Sequence, residues 1–144
     1  MASDVRCREI MKSAALGESA RANQLYEELD ESGRESYNIF VIATFATVMG
    51  VRFESDQSLE AVRTFSAEMA YDYRDAEPAV TATTVELVLR AMMGEEELFA
   101  EIPAEELQRI QLYSIRKVVD QTPQVRERLD EYLTEAEALA QTWV

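Results

Sequence analysis

Apolar side chains recur three and four positions apart along nearly all of this 144-residue chain, while the period-two alternation of a half-buried strand is missing. Only four glycines and three prolines interrupt the pattern, so long segments can propagate as helix. The stripe is cleanest toward the C-terminus. Val125, Leu129, Tyr132, Leu133, Ala136, Leu139, Ala140 and Trp143 share one face there, opposite Arg126, Glu127, Asp130, Glu131, Glu135 and Glu137. The periodicity predicts an all-α protein, a compact antiparallel helical bundle of six to seven helices forming one domain over residues 1–144. Trp143, completing a stripe, is expected to anchor the last helix on the core.

Helix signals divide the chain. A first helix over 4–15 stops at Gly17, and a second over 19–30 stops at Ser32-Gly33. The third, 34–53, carries Tyr37, Phe40, Val41, Thr44, Phe45 and Val48 on one stripe and Ile39, Ile42, Ala43, Ala46 and Met49 over much of the rest. A helix apolar on most sides belongs in the middle of a bundle or in an interface. The fourth follows a Ser55-Asp56 cap and runs to residue 74, with Leu59, Val62, Phe65, Ser66, Met69 and Tyr73 inward. Thr83 and Glu86 have the spacing of a capping box for the fifth, which Gly94 ends after a stripe of Val80, Thr84, Leu87, Val88 and Ala91. Residues 95–101 read as a short helical turn, and Pro103 as the first residue of a helix over 103–120. Thr122 and Pro123 together read as N-cap and first position of the last helix.

Missing residue types exclude more functions than any motif supports. With no histidine, neither a helical di-iron site nor an imidazole-activated nucleophile can be assembled, and the single cysteine, Cys7, cannot form an intramolecular disulfide or belong to a zinc-binding cysteine cluster. The glycines at 17, 33, 50 and 94 stand alone and form no phosphate-cradling loop. No catalytic, cofactor-binding or metal-ligating residue is assigned on these grounds, and no cofactor is expected. A carboxylate group at Glu68, Asp72, Asp75 and Glu77 offers oxygen ligands, but residues 68 and 72 lie opposite the apolar face of their helix and are expected to be solvated. Thr44 and Thr47, within the most apolar helix, are expected to bond the carbonyl one turn back.

Charge supplies the positive clue. Fourteen Lys and Arg against 28 Asp and Glu leave a formal charge of −14. A field of that sign repels phosphate backbones and anionic lipid surfaces, so neither nucleic acid nor membrane is an expected partner. The longest apolar stretch, 39–51, is too short to cross a bilayer, and 13–16 is too short for the apolar core of a signal peptide. A cytoplasmic setting is expected. Glu95, Glu96, Glu97, Glu101, Glu105 and Glu106 form the candidate acidic docking patch for a basic protein. The expected function is non-enzymatic, a protein-interaction or regulatory module that binds a protein partner or pairs with itself as a homodimer. The alternative is a small-molecule carrier or enzyme with a pocket between helices.

Overall fold

The computed structural model describes residues 2–143, with side chains described from residue 5 onward. All the regular structure among them is helical: α1 (Ala2–Ala15), α2 (Ser19–Glu27), α3 (Glu31–Arg52), α4 (Leu59–Asp72), α5 (Ala82–Met92), a 3-10 helix (Glu96–Glu101), α6 (Ala104–Gln121), α7 (Pro123–Glu127) and α8 (Leu129–Gln141). The fold is all-α, and seven of these elements reach seven residues or more.

Two helices form the centre. The 22-residue α3, about 33 Å long at helical rise, packs against α8 on one side and α6 on another. It buries Tyr37, Phe40, Val41, Ala43, Phe45, Val48 and Met49. Helix α6 buries Ile110, Ile115, Val118 and Val119 and also meets α1, α4 and α5. Helix α2 lies on α1, and α4 and α5 form an adjoining hairpin. Phe53 and Phe65 meet edge to face, with ring centroids 5.5 Å apart, where the end of α3 joins α4.

Several boundaries differ from expectation. Ser32-Gly33 does not end α2; it lies in the first turn of α3, whose N-cap Asp30 accepts the Gly33 N–H at 2.7 Å. An aspartate there holds an otherwise orphaned donor, and this outweighs the local tendency of Gly33 to break helix. The cap of α4 is Ser58, accepting the Ala61 N–H at 3.1 Å, whereas Asp56 turns the preceding loop by accepting from Ser58 N–H. Thr81, not Thr83, caps α5, and Glu86 pairs with arginines instead of closing a capping box. Val85 and Leu89 are buried where Thr84 and Leu87 were expected, a rotation of the α5 stripe by about one position. Pro103 is the cap residue before α6, and the helix starts at Ala104.

The segment read as one last helix is two. Pro123 does open a helical turn, but the Thr122 side chain makes no cap bond, and the backbone leaves helical geometry at Arg128 before α8 begins. Val125 and Leu129, one on each side of this break, are both buried. Helix α8 ends at Gln141, so Trp143 lies past its last turn and is 50% exposed, not an anchor. Leu59, at the first position of α4, is likewise exposed. Thr47 Oγ1 donates to the Ala43 carbonyl at 2.8 Å as expected, but Thr44 Oγ1 is buried with no partner.

Candidate functional site

The acidic patch is built from a 3-10 turn between two helices. Gly94 closes α5 in the left-handed region at φ 130°, and its N–H group caps back onto the Ala91 carbonyl. The six carboxylates divide into two kinds. Arg90 grips Glu95 through two bonds of 2.7 Å and also bonds Glu86 at 3.1 Å, and Arg63 holds the second oxygen of Glu86 at 3.1 Å. The fork from Arg90 is the main reason the Glu95 carboxyl titrates below the usual range, and the two carboxylates raise the Arg90 guanidinium in return. Glu106 is paired within its own helix to Arg109, at 3.1 Å. Glu95 and Glu106 are therefore internal ties.

Glu96, Glu97, Glu101 and Glu105 are exposed and make no ion pair or side-chain hydrogen bond with any described residue. Phe99, in the middle of the same turn, leaves 40% of its surface to solvent. The result is an acidic ledge around an exposed aromatic ring. Sequence pattern located the acids but missed Phe99, because a six-residue 3-10 turn has too few positions for periodicity to assign a face.

A second constellation lies away from the ledge. The Glu68 and Asp72 carboxylates do not simply face solvent: Lys117 Nζ, on α6, donates to Asp72 Oδ2 at 2.6 Å and stands 3.5 Å from Glu68. Gln121 Oε1 accepts from the same ammonium at 2.9 Å, and Gln121 Nε2 donates to Asp72 at 3.1 Å. The Lys117 side chain is only 3% exposed, so the carboxylates were recruited by a buried cation. Among the described residues, no cluster of three Cys, Asp or Glu could hold a metal ion.

Lys117 and Asp72 border a polar cleft of about 350 Å³ where the α1–α2 turn, the ends of α4 and α6, and α7 approach one another. Tyr73, Arg116, Asp120 and Arg126 complete its charged and phenolic lining. The hydrogen bond from Lys117 is the chief cause holding Asp72 below the ordinary carboxylate range, against an opposing push from burial. Burial pushes the Tyr73 phenol up to about 12, with Arg116 pulling it partly back, so it remains a hydrogen-bond donor at neutral pH. One part of this cleft, the burial of Lys117, was legible in the spacing. Positions 110, 114, 117 and 121 follow one stripe of α6, which puts the chain's second and last lysine on a buried face.

No family model, curated protein or solved structure matches this chain. No helix among the described residues is long and apolar enough to cross a membrane.

Proposed function

We propose that the protein is a non-enzymatic interaction module that docks a basic, partly apolar segment of another protein on the ledge formed by Glu96, Glu97, Glu101 and Glu105 around Phe99. The observation that carries the reading is the coexistence of four carboxylates without an internal counter-ion, three on the 3-10 turn and Glu105 at the start of α6, with an exposed aromatic ring on that turn. Acidic residues with internal partners have little charge left to offer, whereas these four add directly to a surface field that accelerates encounter with a cation-rich partner. Phe99 supplies the desolvated contact that charge alone lacks. A reducing cytoplasmic setting, suited to the single Cys7, belongs to the same reading.

The test is affinity capture with the parent chain and with a variant carrying Glu96→Gln, Glu97→Gln, Glu101→Gln and Glu105→Gln. The parent enriches one basic protein at low salt and the variant does not. Equal recovery by both chains rejects the ledge as the docking site.

Self-association is a second reading, favoured by Ile42, which is 43% exposed in the middle of the most apolar helix. Light scattering at micromolar concentration decides it, a monomer mass counting against a dimer.

A further inference from the structure

Arg116 is the group in the polar cleft whose bonding capacity is unused. Arg116 is half-buried as a residue, and its guanidinium forms no ion pair and no hydrogen bond with any described residue, although Asp120 and Asp72 line the same cleft. Lys117 beside it is fully engaged by Asp72, Gln121 and Glu68, and Arg126 stands 3.7 Å from Asp120. The Tyr73 hydroxyl also makes no hydrogen bond with a described residue. One planar five-donor fork and one phenolic donor therefore border the same space without acceptors.

The backbone makes room for that fork. Gly17 sits at φ 82°, and a Cβ placed on it would come within 3.3 Å of Arg116 Nη2, so glycine satisfies both the turn and the seat of the guanidinium. Arg116 also borders a second groove, of about 280 Å³, lined by Ala14, Ala22, Leu112 and Tyr113 and also by Ser19, Asn23 and Arg109, the last already paired with Glu106. The polar cleft and this more apolar groove thus share Arg116.

We propose that this junction binds a small monocarboxylate with an apolar tail, its carboxylate held by Arg116 and the Tyr73 hydroxyl and its tail lying toward Leu112 and Tyr113. A carboxylate matches the guanidinium fork through two parallel hydrogen bonds. A single negative charge suits the cleft better than the double charge of phosphate, because Asp72 and Asp120 oppose a dianion there. The apolar groove rewards a tail of several carbons, which acetate lacks.

Isothermal titration of the full chain with hexanoate, acetate and inorganic phosphate at matched ionic strength tests this assignment. Hexanoate is expected to saturate with a dissociation constant of about 1 mM or tighter, and to bind about tenfold tighter than acetate or phosphate. Arg116→Gln weakens hexanoate about tenfold, and Tyr73→Phe, which keeps the ring, weakens it severalfold. Should Arg116→Gln lose helical circular dichroism, Arg116→Lys takes its place, keeping the charge while removing the fork, with a severalfold loss expected. No saturable heat with hexanoate overturns the proposal. So does tighter binding of phosphate, or undiminished hexanoate binding by a folded Arg116 variant.

Discussion

Lys117 Nζ lies 2.6 Å from Asp72 Oδ2, so a nearly inaccessible ammonium on α6 is tied to the last turn of α4. Removing the two partners has unequal consequences. Asp72→Ala leaves a buried cation with one fewer acceptor and is expected to cost about 2–3 kcal/mol, whereas Lys117→Met removes the charge, keeps most of the volume and costs less. Urea unfolding of both variants checks the order. A larger loss for Lys117→Met would show that the ion pair itself, not the desolvated charge, dominates.

The same contact sets a pH dependence. Because Lys117 holds the folded-state pKa of Asp72 below its unfolded value of about 3.9, the contribution is fully present above that value and is lost as pH falls through the folded-state value. The stability difference between the parent and Asp72→Asn should thus be constant from neutral pH down to about pH 5 and shrink below pH 4. Taking the difference cancels the relief of general acidic repulsion that protonation brings to a chain of charge −14. Denaturant melts across that range measure it.

Thr44 offers a stabilising substitution. Its Oγ1 is buried on α3 without a partner, so Thr44→Val removes an unsatisfied polar atom at nearly constant volume. A gain of about 1 kcal/mol in urea unfolding is expected. A loss of that size would mean the hydroxyl is satisfied in solution.

The start of α3 separates two readings of one short segment. Asp30→Ala should cost about 1 kcal/mol by freeing the Gly33 N–H, while Ser32→Ala, inside the first turn, should change stability by a few tenths at most. The reverse order of thermal midpoints would return the helix start to the far side of Gly33.

That segment also shows where sequence was readable and where it was not. Spacing identified α3 as central, with Phe40, Val41, Phe45 and Val48 all buried, because the apolar excess around the helix is a property of the chain itself. Caps were harder. Asp30, Ser32, Ser55, Asp56, Ser58, Thr81 and Thr83 are all competent cap residues, and only the packed helices decide which of them has a donor to satisfy. Trp143 continued the α8 stripe on paper, but the helix ends at Gln141 and a helical phase has no meaning beyond it. For the candidate sites, the acids of the ledge were visible as a cluster, yet which of them are neutralised depends on Arg90 and Arg109 reaching back to Glu95 and Glu106. The Lys117–Asp72 pair joins residues 45 positions apart, and local periodicity carries no information about that meeting.

Charge left unneutralised beside Phe99 should draw a defined cationic probe to the ledge. Fluorescence anisotropy with a synthetic amphipathic helix of lysine and leucine should give binding that weakens severalfold between about 50 and 200 mM salt. Binding should also fall at least tenfold in the chain carrying Glu96→Gln, Glu97→Gln, Glu101→Gln and Glu105→Gln. Identical, salt-insensitive affinity for the parent and the variant would rule out the ledge as a docking site.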